Sequence, residues 1–196
     1  RLSNDLEYIA TNRFSDLRSL AGLNYQRMVI RAETLGIVIT EDKSNRDEEL
    51  LKILERRKKA SDRIDEHWNA LLSVPRHMEK GRQLVEILKV QYQSWRKIHG
   101  DIDRLVEEIL RSQSVDRKNT LFQELKAQVY RSIPISDVMG STFDDLTRNN
   151  NEQTDLLVEG DLKRAGMMEM FFLLAMIVGV FIALVMTVKI SRSIVL

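Results

Sequence analysis

LVEILKVQYQSWRKIHGDIDRLVEEI, residues 84–109, decides the architecture. Leu84, Leu88, Gln91, Trp95, Ile98, Ile102, Leu105 and Ile109 follow one another at alternating steps of four and three, without a slip. On a helix of 3.6 residues per turn those positions form one stripe. Side chains on such a stripe interlock with those of neighbouring helices in a left-handed bundle. A strand would instead alternate its faces every second residue.

Seams of the same period lie on both sides of this segment. Leu50, Leu54, Arg57, Ser61, Ile64, Trp68 and Leu71 form one, with two polar interruptions. Met139, Phe143, Leu146, Asn150, Gln153 and Leu157 form another, which turns polar toward its end. The N-terminal segment carries two stripes side by side. One is Leu6, Ile9, Arg13, Asp16, Leu20, Leu23, Arg27 and Ile30; the other is Leu17, Ala21, Asn24, Met28, Arg31, Leu35 and Val38. That is more apolar face than one bundle core needs, so the second stripe predicts a parallel homodimer packed along the first helix. The seams predict burial of Leu84, Leu88, Trp95, Ile98, Ile102, Leu105, Met139, Phe143 and Leu146.

The breaks fall at turn chemistry. Glu41–Arg46 (EDKSNR) is polar and precedes Asp47, a candidate N-cap followed by two further acids. Pro75 disfavours helical geometry at Val74 and donates no amide bond, which ends the second helix. Ser112–Asn119 ends the third. The expected helices cover about 2–44, 47–73, 78–113 and 118–163, the first and last being the longest. The fold class is therefore all-α: an antiparallel up-down four-helix bundle in one domain, residues 1–165. Two prolines and eight glycines among 196 residues leave little punctuation for a sheet.

Met170–Val188 (MFFLLAMIVGVFIALVMTV) contains no charge and reaches roughly 28 Å as a helix, the thickness of a bilayer core. The fourth helix is expected to continue into a transmembrane helix over 166–189. Lys189 and Arg192 follow the span, which places the C-terminus in the cytoplasm and the large N-terminal part outside the cell or in the periplasm. The chain starts at Arg1 with no signal peptide, so a first membrane helix is expected upstream, and residues 190–196 are expected to open a cytoplasmic linker.

Composition and motifs exclude several classes. Thirty Lys plus Arg balance 29 Asp plus Glu, so nothing suggests a nucleic-acid surface. No cysteine is present, and His67, His77 and His99 lack ligand spacing, so neither a metal site nor a cofactor is expected. No phosphate loop or nucleophile–base arrangement appears, so the chain is not read as an enzyme.

What does appear is a layer of polar seam positions near one height. Counting down from the distal turns, Arg27, Arg31 and Thr34 of the first helix meet Arg96 and His99 of the third. Tyr130, Ser132 and Ser136 of the fourth lie at the same height, around Pro134. Pro134 frees a backbone acceptor near Tyr130. Guanidinium groups, hydroxyls and a kinked helix have the chemistry of an anion site. Arg27, Arg31, Thr34, Arg96, Tyr130, Ser132 and Ser136 are therefore the candidate ligand-binding residues. Each also fits a simpler role: Arg27 and Arg31 as partners of Glu33 or neighbouring acids, Arg96 and His99 as a solvated face, Tyr92 and Trp95 as core. Arg57, toward the outer part of a short helix, is expected not to matter for binding.

In layout the chain resembles the sensory module of bacterial methyl-accepting chemotaxis receptors of the four-helix-bundle type, as in the aspartate and serine receptors. The resemblance rests on Arg27 and Arg31, on the Pro75 turn, and on Pro134 followed by Met139-Gly140-Ser141-Thr142-Phe143. The membrane helix running into Ser191-Arg192-Ser193-Ile194-Val195-Leu196 is also similar to the entry of a HAMP linker. The resemblance implies a parallel homodimer that binds a small organic acid at the subunit interface. Arg27 and Arg31 would hold the carboxylates, and Tyr130 and Ser132 the groups just before the proline. The acid would be a di- or tricarboxylate or an amino acid. The output would pass to a cytoplasmic adaptor and kinase through a region beyond this chain. Two alternatives remain: the sensor domain of a histidine kinase of a two-component system, since Leu20-Ala21-Gly22 and Gln26-Arg27-Met28 resemble nitrate-sensing bundles, and a ligand-free structural helical tether.

Overall fold

A computed structural model describes residues 9–76 and 78–194, with positions 9, 10, 161, 178 and 180–194 through the backbone alone. Among the described residues the chain is helical apart from short connections, with no strand. A π-helical turn, Ile9–Arg13, leads into α1, Phe14–Ile39. Then follow α2, Arg46–Ser73, α3, Glu79–Arg111, and α4, Val115–Ile194. The expected start of the first helix before Ile9, and His77, lie outside the described residues.

Helix ends differ from expectation by a few residues, and the causes are local. α1 stops at Ile39 rather than near 44, because Thr40 folds back to donate its amide to Ile37 O and its hydroxyl to the same carbonyl. Asp47 is not the N-cap. Asn45 holds that place, and Asp47 stands in the first turn of α2 with Glu48 and Glu49, where carboxylates meet the positive end of the helix dipole. Val74 takes the extended geometry that Pro75 imposes, with ψ at 122°. The third connection is shorter than the composition suggests. α4 already begins at Val115, its first turn capped by the Ser114 hydroxyl, which accepts from the Arg117 amide. Pro134 lies inside α4, which runs through it without a break.

Each helix packs mainly on its sequence neighbour: α1 against α2, α3 against α4, with α1 also against α4 and only a light contact between α2 and α3. The interior consists of two apolar clusters. One holds Leu20, Leu23, Ile64, Leu88, Trp95 and Phe143 among others. The other holds Ile37, Leu50, Ile102, Leu105, Phe122 and Val129 among others. Each buried aliphatic or aromatic side chain here contributes roughly 1.5–3 kcal/mol. All the expected seam residues are buried except Leu84, which is half-buried because Val85 takes the inward place beside it.

The first cluster ends in a polar plug. Arg76, just after the Pro75 turn, forms a bidentate pair with buried Asp16 at 2.7 and 2.6 Å, and Asn150 bridges to Arg13. Beyond Asn150 the side chains of α4 are largely exposed as far as Ile177. Among the described residues no helix is long and apolar enough to cross a membrane. The side chains of the expected span from 180 onward lie outside the described residues.

Candidate functional site

Between the two apolar clusters each helix contributes a buried polar residue. On α1, Thr34 falls between Ile30 and Ile37; on α2, Arg57 falls between Ile53 and Ala60. On α3, His99 falls between Trp95 and Ile102; on α4, Ser132 and Ser136 fall between Val129 and Met139. A buried polar layer is therefore present, but Arg96 and Tyr130 of the expected one are not buried in it, and its centre is a residue that the seam reading set aside.

Arg57 is 1% exposed. Its Nε donates to Asp103 Oδ1 at 2.6 Å, Nη1 donates to the Thr34 hydroxyl and to Ile30 O, and Nη2 donates to His99 O at 3.2 Å. The other Nη2 contact is His99 Nδ1 at 3.3 Å. A guanidinium accepts no hydrogen bond, so His99 Nδ1 must be the bare acceptor and Nε2 must carry the ring proton. That Nε2–H is buried and has no partner, as is the Nε1–H of Trp95, whose ring lies 4.5 Å from that of His99. Burial, then the charges of Arg57 and Arg96, push the His99 pKa down to about 2. The imidazole is neutral at any ordinary pH. Thr34 completes the node by donating its own hydroxyl to Ile30 O at 2.6 Å.

Arg27 forms a second node, on the α1–α4 side. It is 6% exposed, yet every hydrogen bond it makes is to a neutral oxygen. Nη1 donates to Ser136 O at 2.7 Å and to Ser136 Oγ at 2.9 Å; Nε and Nη2 donate to Asn24 Oδ1 at 3.1 and 2.7 Å. Gly140 makes the room. A Cβ there would stand 2.8 Å from Arg27 Nη2. Burial first, then Arg31, lower the Arg27 pKa, against the opposing pull of Asp137 and Asp144. Arg31, one turn on, is paired with Asp137, whose side chain is half exposed. Glu33, the other acid considered for this pair, is held instead by Arg56 at 2.7 and 2.8 Å.

The seven sequence candidates thus fall into separate groups. Arg27 and Ser136 are in direct contact, with Arg31 beside them. Thr34 belongs to the Arg57 node. Arg96 reaches Ser61 and Asp65 on α2, on the far side of the bundle from Arg27. Ser132 is buried and donates its hydroxyl to Val129 O, and Tyr130 points outward at 59% exposure. His99 is not a solvated face but a buried part of the layer. Nor is Arg57 an outer residue: its seam position between Leu54 and Ile64 carries it inward. That position was the available signal, since a charge on a seam is buried unless the helix turns it away. His67 packs its ring over the backbone of Gly22, where a Cβ would meet it at 2.4 Å. Among the described residues no group of His, Asp or Glu is arranged to hold a metal ion.

No protein-family model, curated protein or solved structure matches this chain.

Proposed function

We propose that this chain is the sensory module of a bacterial transmembrane chemoreceptor, an antiparallel up-down four-helix bundle that binds a small organic acid. The observation that carries the reading is Arg27. A buried guanidinium hydrogen-bonded only to neutral oxygens has its charge offset only at a distance, by Asp137 and Asp144, and Arg31 beside it has a single, half-exposed carboxylate partner. A di- or tricarboxylate, or an amino acid, supplies a nearer negative charge by replacing Asp137 on Arg31. Charge-assisted bonds of roughly 1.5–3 kcal/mol each suffice to bias a two-state helix equilibrium.

Two further features support the assembly and its place. The outward face of α1 exposes Phe14, Tyr25, Met28, Leu35 and Ile39 along one line, as a parallel homodimer requires. The exposed apolar run of α4 through Phe171, Phe172 and Leu174 continues in sequence to Val188, in keeping with a bilayer around it and a cytoplasmic C-terminus. A shift of α4 against α1 then passes directly to the cytoplasmic side, without any catalytic step in this chain.

Thermal unfolding of the chain in detergent, with malate, succinate, citrate and aspartate in turn, tests the reading. A ligand at one hundred times its Kd adds about 2.7 kcal/mol of stability. At least one acid is expected to raise the midpoint, and Arg31→Gln to abolish the rise. Unchanged midpoints with every acid would contradict the proposal. Cysteines placed at Met28 and Leu35 are expected to crosslink between copies; crosslinks confined to α2 and α3 would contradict the dimer.

A further inference from the structure

A cavity of about 110 Å³ lies beside the Arg57 node, between α2 and α3, with Ile30 of α1 at its inner end. Its walls are Arg57, Ser61, Trp95, Arg96 and His99, with Asp103 and Gly100 at the edge. We propose that this cavity is a binding site for a short monocarboxylate of two or three carbons, held within a single subunit and distinct from the outer face of Arg27 and Arg31.

The chemistry of the walls selects an anion. Arg96 commits two of its five N–H groups, one to Ser61 and one to Asp65, and its guanidinium lines the space. Around it donors outnumber acceptors: the Nε2–H of His99 and the Nε1–H of Trp95 find no acceptor among the described residues. The one carboxylate on the wall, Asp103, is already engaged by Arg57 at 2.6 Å. A ligand carboxylate takes the remaining Arg96 donors, with the His99 and Trp95 N–H groups as the further donors on the same walls. Its hydrocarbon end meets Ile30.

Size and rim select a small monoanion. A cavity of 150 Å³ is known to hold benzene, with six heavy atoms, so this one has room for about four or five. Acetate has four and propionate five, whereas succinate and citrate are too large. The groove outside the mouth, which shares Ser61, Arg96 and Asp103 with the cavity, carries Glu55, Asp62, Asp65 and Glu107 against Lys58. That rim repels a dianion more than a monoanion. It also makes this site complementary to the outer face, which is read as taking larger, more highly charged acids.

Calorimetric titration of the chain in detergent with sodium acetate, against sodium chloride at equal ionic strength, tests the site. Acetate and propionate are expected to bind, and succinate to compete with neither. Arg96→Gln, at a partly exposed side chain, should weaken acetate binding at least tenfold. Ser61→Leu, which fills the space, should abolish it, and Arg31→Gln should leave it unchanged. Wild-type protein that binds neither acetate nor propionate overturns the site, as does acetate binding that survives Arg96→Gln in a variant of normal helicity. Acetate binding that is lost in Arg31→Gln but kept in Arg96→Gln overturns it too, and in that case supports the outer face instead.

Discussion

Arg27 and Arg57 are two arginines buried in one bundle, and the structure treats them in opposite ways. Arg57 points at a carboxylate and is surrounded by oxygens and a ring nitrogen from α1 and α3. Arg27 lies against a glycine and is bonded to an amide oxygen, a hydroxyl and a backbone carbonyl, with no acid in contact. The first arrangement neutralises a charge and ties three helices together. The second holds a charge in place with carboxylates acting on it only from a distance. The first is expected to contribute stability, and the second is where the proposed anion would act.

Removing each arginine should therefore have unequal consequences. Breaking a buried ion pair from one side costs about 3–5 kcal/mol. Asp103 is about one third exposed, so Arg57→Ala is expected near the lower end, at about 3 kcal/mol in urea unfolding. Arg27→Ala removes hydrogen bonds to neutral groups and also relieves repulsion with Arg31, so about 1 kcal/mol is expected. Equal losses for the two variants would break the comparison.

The next effect is a pH dependence that belongs to the Arg57 node alone. The His99 pKa is about 2 in the folded state and near 6.5 in the unfolded chain, so the unfolded state binds the extra proton between those values. Stability from this group is complete above about pH 6.5 and falls as pH drops below it. Between pH 7 and pH 5 the loss is roughly 2 kcal/mol, at 1.36 kcal/mol per unit below 6.5. His99→Asn should flatten that slope, while Arg27→Gln should leave it intact. A slope that persists in His99→Asn would move the effect to the carboxylates.

Gly140→Ala acts on the other node and is smaller again. The added methyl must displace a guanidinium held by Ser136 and Asn24, and crowding of that kind costs about 1 kcal/mol. The same methyl should cost almost nothing in an Arg27→Ala background, because the atoms it meets are gone. A double-mutant cycle measures that difference.

Much of this was legible in the sequence. The four-three period of α3 set its buried face correctly from Leu88 to Ile109, because packing asks only that apolar residues recur at the helical repeat. The polar height was legible only in part: Arg27 interrupts the first apolar stripe, whereas His99 lies off the stripe read for residues 84–109 and was taken for a solvated face. Which polar groups meet was not legible. Counting residues along a helix gives height but not azimuth. Arg27 and Arg96 therefore read as neighbours, although they face opposite sides of the bundle. Arg57 was discounted by its position on a short helix, although its own seam placed it inward. Tyr130, one turn before Pro134, shares the height of the layer and faces away from it.

The smallest stability effect, and the sharpest test of the proposed anion site, is Asp137→Asn. The Arg31–Asp137 pair is a partly solvated surface bridge, and such pairs contribute about 0–1 kcal/mol. Unfolding should barely change. Binding should change more. If an organic acid is held by Arg31 as proposed, it must first displace Asp137, and it feels that carboxylate's repulsion across the same few ångströms. Replacing the carboxylate by an amide of the same shape removes both penalties, so affinity for a dicarboxylate is expected to rise several-fold in calorimetry, most of all at low salt where screening is weakest. Arg31→Gln must lower affinity in the same assay. If Asp137→Asn instead weakens binding, Asp137 is a contact of the ligand rather than its rival. The outer face would then recognise a group that donates a proton or carries a positive charge, as an amino acid's ammonium does.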